Sequence, residues 1–397
     1  MNLSRDHALS IWRAAVAAAD PFALVRDAVT GLHFTGRALV VGGGKAGAAM
    51  AAGVEASLGQ RTTGIVNVPE GATRSLKNIE LIAARPAGSN HPTAAGVAGV
   101  DRMLSLVQTA QPGDVGVCLL SGGGSALLPA PSGVTLEDKQ YVTKLLHASG
   151  ATIGEMNCVR KHLSRFKGGR LAEAFACRGC PLYTFILSDV VGDPLDVIAS
   201  GPTAPDPTTC ADALEVLRRY SILDAVPAVR VHLERGDETP KTSFPGVNNI
   251  ILGNNARSLI AASQRASDLG YRVLNLGSFV EGEARHVAAV LAGIVRSIRR
   301  DGVPVTAPVC VLYQELTLAA LLRLHGEPIV FLAAGTDGED GPTDAAGAIF
   351  DANSPLYGAA DALRRHDAYT YFDRIGGLVR TGLTGTNVMD VAVILIG

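Results

Sequence analysis

The stretch "RALVVGGGKAGAAM", residues 37–50, decides the fold. Leu39, Val40 and Val41 form a short apolar run of the kind a buried parallel strand shows. Three glycines end the run, and an alanine-rich segment with helical composition follows. Strand, glycine turn and helix in that order make the first half of a βαβ unit, and Gly42-x-Gly44-x-x-Gly47 fits the pyrophosphate turn of dinucleotide-binding folds. Two features read against a nicotinamide dinucleotide. The next strand, "GIVNVPEG" (64–71), ends in Val-Pro rather than in an acid able to hold a ribose, and Glu70 comes slightly late. Lys45 also sits inside the turn. Glycine turns at helix N-termini bind anions generally, so the stretch is expected to present Lys45 to a phosphate or carboxylate.

The same alternation continues along the chain. Further strands are expected at 115–124, 182–190, 249–256, 272–277, 328–338 and 388–397. Helical patterns lie between them at 93–110, 136–149, 168–177, 209–220, 256–268, 281–300, 314–325 and 357–366. This predicts an α/β protein with a Rossmann-like, mostly parallel sheet covered by helices on both faces. A length of 397 residues calls for two domains. The polar, proline-bearing stretch 221–248 is the expected linker, which divides the chain into 1–235 and a smaller α/β domain, 236–397.

Composition narrows the function classes. A net charge of −2 without a Lys/Arg block argues against a nucleic-acid partner. No apolar run approaches the roughly 20 residues of a membrane span, and the N-terminus reads as an amphipathic helix rather than a signal peptide. A cytoplasmic protein with a small-molecule substrate is expected, and a homodimer is an open arrangement. Cys177 and Cys180 form a lone C-x-x-C with no second pair, read as structural rather than as a zinc site.

Chemistry-bearing motifs cluster after the expected strands. "LLSGGGSALL" (119–128) places Ser121, Gly122, Gly123, Gly124 and Ser125 in a second anion-binding turn, so that two such turns fall on the ligand-binding edge of one sheet. "NCVRKHLSRFKGGRLA" (157–172) is a basic patch holding Arg160 and Lys161. "LSDVVGDPLDVIASGPTAPDPTT" (187–209) delivers Asp189 to a strand end, with Asp193, Asp196 and Asp206 in a stiff loop. Carboxylates in that position suit Mg²⁺, a hard ion with oxygen ligands. "AAGTDGEDGPTDAAGA" (333–348) and "TGLTGTNVMD" (381–390) repeat the polar glycine turn in the second half. No G-x-S-x-G elbow is present, which disfavours a serine hydrolase.

Together with "ILGNN" (251–255), these motifs resemble the glycerate 2-kinase family, the two-domain kinases whose C-terminal part is called the MOFRL domain and whose members often carry the name hydroxypyruvate reductase. The resemblance covers nearly the whole chain. It implies ATP-dependent, Mg²⁺-assisted phosphorylation of D-glycerate to 2-phosphoglycerate, with an active site in the interdomain cleft. Lys45 matches the family's essential lysine, Arg160 its basic position and Asp189 its strand-end aspartate; these three are the expected catalytic residues. Gly43, Gly44, the Ser121–Ser125 turn, Asn254, Thr336, Asp337, Gly338, Thr386 and Asn387 match its binding motifs. Asp189, Asp193 and Asp337 are the metal candidates.

Two departures stand out. The family carries a glycine- and arginine-rich stretch before the motif that ends here in Gln314-Glu315-Leu316, and "PVCVLYQELTLAALL" (308–322) lacks it. Strand and helix would meet with almost no turn, so residues left out of the sequence are the expectation; Leu312 and Tyr313 as bonded neighbours would mean a true deletion. Met389 stands where the family usually has asparagine. The alternatives are an NAD(P)H-dependent hydroxypyruvate reductase, or a non-catalytic ligand-binding homologue if the arginine loop is absent.

Overall fold

The Ser4 hydroxyl accepts the Asp6 N–H and starts helix α1 (Arg5–Ala17), a side-chain cap on an otherwise unsatisfied donor. A computed structural model describes residues 3–86, 91–313, 318–341 and 343–397. These divide into a first unit, Pro21–Leu252, and a second, Met1–Asp20 with Gly253–Gly397.

The first unit runs α2 (Pro21–Val29), β1 (Ala38–Gly43), α3 (Gly47–Leu58), β2 (Thr62–Pro69), β3 (Ile79–Arg85), α4 (Ala94–Gln108), β4 (Val115–Leu120), α5 (Gly124–Leu127), α6 (Leu136–Ala148), α7 (Ile153–His162), α8 (Arg170–Ala176), β5 (Leu182–Leu187), α9 (Cys210–Arg219), α10 (Pro227–Glu234) and β6 (Val247–Gly253). Its sheet has the order β3-β2-β1-β4-β5-β6, the strand order of dinucleotide-binding folds. Strand β1 pairs in parallel with both β2 and β4. The chain therefore reverses its direction of winding between β1 and β4, and the loops leaving these two strands meet at the crevice where such sheets bind ligands.

The second unit adds α11 (Asn255–Asp268), β7 (Arg272–Asn275), α12 (Ala284–Asp301), β8 (Val309–Tyr313), α13 (Leu318–Leu324), β9 (Ile329–Gly335), β10 (Gly347–Asp351), α14 (Ala359–Arg364), α15 (Ala368–Arg374), β11 (Leu378–Val379) and β12 (Asp390–Ile396) to α1. Its sheet order is β11-β10-β9-β12-β8-β7. This second sheet is mixed. Only β7 and β8 pair in parallel, while β12 lies antiparallel between β8 and β9 and β10 lies antiparallel to β9. The connection 336–346 is too short for a helical crossover, so β9 and β10 can only fold back on each other.

The units also differ from the expected division at 235/236. Residues 221–248 are no linker: α10 starts with Pro227 at its first turn and buries Val229, His232 and Leu233, packing with α6 and α9 in one apolar cluster. Helix α1 joins the far end of the chain. Its Ala8, Ile11, Trp12 and Ala15 share one face and pack with Leu259, Val330 and Val393, and the Trp12 indole N–H donates to the Ala334 carbonyl at 3.0 Å. Residues 5–29 are long and apolar enough to cross a membrane by composition, yet they break into α1 and α2, and both helices bury their apolar faces in protein.

Candidate active site

The two glycine turns lock together at the end of β1 and β4. The Lys45 N–H donates to the Gly122 carbonyl at 2.8 Å, the Ala46 N–H to Ser121 Oγ at 3.0 Å, and the Gly44 N–H to the Asn67 carbonyl at 3.2 Å. Gly44 has φ of 156°, and a Cβ there would lie 2.7 Å from the Ser121 carbonyl oxygen, so only glycine lets the turns approach this closely. This revises the reading of the opening stretch. The backbone donors of residues 44–46 are spent inside the protein, and the Lys45 side chain is half-buried.

The second turn keeps its donors. The N–H groups of Gly122, Gly123 and Ser125 make no hydrogen bond among the described residues. Gly123 is left-handed at φ 77°, and a Cβ there would lie 2.8 Å from Arg85 Nη2 and 3.7 Å from Lys45 Cγ. Two cationic side chains thus border one glycine. Below the turn, Lys167 Nζ donates to the carbonyls of Ser125 (2.9 Å) and Ala199 (3.2 Å). The Ser200 hydroxyl donates to Asn157 Oδ1 at 3.1 Å, which leaves Ser125 Oγ as the donor across the 3.0 Å contact with Ser200 Oγ. Ala199, Ser200 and Gly201 all have left-handed backbones, a costly arrangement for the two that carry side chains.

Charge around this turn is unbalanced. Arg160 on α7 is half-buried and has no hydrogen bond or ion pair among the described residues; burial lowers its affinity for a proton. Burial, reinforced by Arg160 and Lys139, holds the Lys167 ammonium well below the usual lysine range. Burial, then Arg160 and Arg165, brings Lys139 down to about 7. Among the described residues, Arg160, Lys139 and Lys167 make no ion pair with a carboxylate, so their mutual repulsion is not offset there. Asp189 and Asp193 follow β5, the neighbour of β4, and both are half-buried; Asp193 has φ of 54°. The other two aspartates of that loop are not metal candidates. Lys161 Nζ holds Asp196 at 3.1 Å and Asp206 at 3.2 Å, and Asp206 is fully buried.

On the second unit, the predicted residues gather at the end of β9 and in the turn before β12. Thr336 is fully buried; its hydroxyl donates to the Met389 carbonyl and accepts the Val388 N–H. The Thr386 hydroxyl donates to the Ala19 carbonyl at 2.7 Å. Both hydroxyl protons are thus used within the protein, where they clasp the turn. Gly338 (φ 88°) lies against the Gly382 carbonyl, the Asn254 side chain caps α11, and Asn387 Oδ1 accepts the Met389 N–H. Burial and the nearby Asp337 charge raise the Asp340 carboxyl above the ordinary range.

Comparison with known proteins adds an independent line. Residues 7–234 match the family model described as a domain of unknown function, DUF4147, and residues 312–390 match the MOFRL family. The chain is 36% identical to the glycerate 2-kinase of Pyrococcus horikoshii across 99% of this chain and 97% of that protein. This chain belongs to the glycerate 2-kinase family. The crystal structure of a glycerate kinase from Thermotoga maritima superposes with a TM-score of 0.89 at 34% identity, covering 99% of both chains. An Agrobacterium vitis relative that carries a hydroxypyruvate reductase name is 42% identical over 98% of this chain and 93% of that protein.

Strand β8 pairs Leu312 with Val393 and Tyr313 with Ala392 in unbroken register. The 419 positions aligned with the Agrobacterium relative hold 98% of 397 residues, so about 30 of them face no residue of this chain. Gln314, Glu315 and Leu316 lie outside the described residues. Arg85 is the site residue the sequence reading missed: β3 is an edge strand with exposed and half-exposed positions and shows no continuous apolar run. The buried support Lys139 lies outside every motif quoted above, and Asn157 and Ser200 lie inside quoted motifs without being singled out.

Proposed function

We propose that this chain transfers a phosphoryl group from ATP to D-glycerate, giving 2-phosphoglycerate. The observation that carries the reading is the set of cations around the Ser121–Ser125 turn, above all the half-buried Arg160 without a counter-charge. Phosphoryl transfer asks the protein for positioning and charge stabilisation more than for covalent chemistry. Glycerate and ATP are both anions, and Lys45, Arg85 and Arg160 give them that environment. The open N–H groups of Gly122, Gly123 and Ser125 cradle phosphate oxygens. Lys45 meets the transferring group or the glycerate carboxylate. Asp189 accepts the proton of the attacking hydroxyl or holds the metal. Hard carboxylate oxygens at Asp189 and Asp193 are the donor set Mg²⁺ takes, with Asp337 as a further candidate; when bound, the ion neutralises phosphate charge. The buried apolar face of α1 fits a soluble, cytoplasmic enzyme.

The reductase reading is weaker because the turn that would hold a dinucleotide pyrophosphate has its residue 44–46 N–H groups occupied by Asn67, Gly122 and Ser121. One assay separates the readings. With glycerate, ATP and Mg²⁺ supplied, ADP and 2-phosphoglycerate should appear, and Lys45→Ala should lower turnover on the order of 10²–10³-fold with an unchanged unfolding profile. Near-normal turnover in that variant would sink the role given to Lys45. Oxidation of NADH by hydroxypyruvate without ADP formation would favour the reductase, and ligand binding without turnover the non-catalytic homologue.

A further inference from the structure

A second cluster of chemistry-bearing side chains lies elsewhere on the first unit, at the end of α7. His162 is fully buried, and its Nδ1 lies 2.8 Å from the Cys158 carbonyl oxygen. A carbonyl only accepts, so Nδ1 carries the proton, and in the neutral ring Nε2 presents a lone pair. That lone pair faces Glu238 Oε2 at 3.3 Å and Asp206 Oδ2 at 4.0 Å. The Thr239 hydroxyl, 3.5 Å away, donates to Asp206 and has no proton left to offer. A cation at Nε2, either a proton or a metal ion, is favoured by two carboxylates on that side. The remaining neighbour is Cys210, the first residue of α9, and the ligand atoms of His162, Cys210 and Glu238 all lie within 4.8 Å of one another.

We propose that His162 Nε2, Cys210 Sγ and a Glu238 carboxylate oxygen form a binding site for a transition-metal dication of the Zn²⁺ type. Nitrogen, thiolate and carboxylate together are a set that this borderline-soft ion accepts. Bonds of about 2.0–2.3 Å place tetrahedral ligand atoms roughly 3.4–3.7 Å apart, so shifts of about 1 Å close the site. The Cys158 carbonyl fixes the His162 tautomer as an outer-shell partner does in metal sites. Glu238 is 40% exposed and gives the ion a path from solvent. Asp206 stays outside the set, held by Lys161, Thr208 and Thr239. Lys241 Nζ, 2.8 Å from Glu238 Oε2, is the competing cation on the solvent side. Binding replaces the thiol proton of Cys210, which passes to solvent, by an S–metal bond, and ties α7 and α9 to the segment around residue 238.

The test uses the reduced full-length protein and Co²⁺ as a spectroscopic probe. One equivalent should produce a thiolate-to-metal charge-transfer band and strong visible absorption of a four-coordinate ion, both erased by added Zn²⁺. Cys210→Ser should abolish the charge-transfer band, while Cys177→Ser, at the exposed cysteine, should leave it intact. Glu238→Gln keeps an oxygen for the Cys210 N–H and should weaken Co²⁺ at least tenfold without unfolding the protein. Absence of the band with excess Co²⁺, its survival in Cys210→Ser, or ¹⁵N spectra showing His162 protonated on both nitrogens and unchanged by Zn²⁺ would each overturn the proposal.

Discussion

Replacing Lys139 by methionine tests the charge imbalance behind the Ser121–Ser125 turn. Lys139 is only 6% exposed, and its ammonium donates to the Leu163 carbonyl at 2.8 Å. Burial first, then Arg160 and Arg165, brings its pKa from 10.5 to about 7. A difference of about 3.5 units corresponds to about 5 kcal/mol. Below pH 7 the lysine is protonated in both the folded and unfolded chain, so the full cost of burying the charge is present and does not vary with pH. Between pH 7 and 10.5 the unfolded chain holds a proton that the folded one has released, so stability rises by about 1.4 kcal/mol per pH unit. Methionine has a similar length and no charge, and it forfeits one hydrogen bond and strands the Leu163 carbonyl, a loss of about 1–3 kcal/mol. In urea unfolding followed by circular dichroism, Lys139→Met should therefore be about 2–4 kcal/mol more stable than wild type at pH 6.5. The advantage should vanish near pH 9 and reverse above it. Lys139 accounts for part of the lowering of Lys167, so Lys167 is less depressed in Lys139→Met, which adds to the wild type's relative gain as pH rises. Saturating ATP should narrow the gap at pH 6.5, because a bound anion relieves the repulsion. A difference that stays flat from pH 6.5 to 9.5, or a wild type more stable at pH 6.5, would refute the reasoning.

Two further substitutions probe the backbone. Gly42 has φ of 136°, and a Cβ there would collide with the Leu119 carbonyl and lie 2.7 Å from the Leu119 nitrogen; because β1 and β4 are both central, neither can yield, and Gly42→Ala should cost at least about 3 kcal/mol in chemical unfolding. Met389 has φ of 70°, a conformation asparagine tolerates and methionine does not, so Met389→Asn should stabilise the second unit by about 1 kcal/mol, read as a higher urea midpoint at unchanged slope.

Local pattern made much of this protein legible. Apolar runs ending in glycine marked β1, β4 and β9, and a run ending in Ser188-Asp189 marked β5, because a buried strand and the turn after it leave a signature within a few residues. The combination of such turns with Lys45, Arg160 and Asp189 was enough to suggest the family. Even the departure at Met389 was visible, although its meaning, an asparagine-type backbone carrying another side chain, needed the dihedral angle. What the tertiary structure decided is whatever depends on which distant residues become neighbours. It placed α1 with the C-terminal strands, since Trp12 finds its carbonyl 322 residues away. It turned β12 antiparallel between β8 and β9, set Arg85 beside Lys45, and brought His162, Cys210 and Glu238 together. It also showed that the donors of the Gly42–Gly47 turn are already occupied. Hydrophobic periodicity is a local property of the chain, whereas hydrogen-bond satisfaction and the balance of charge are settled only by the completed fold.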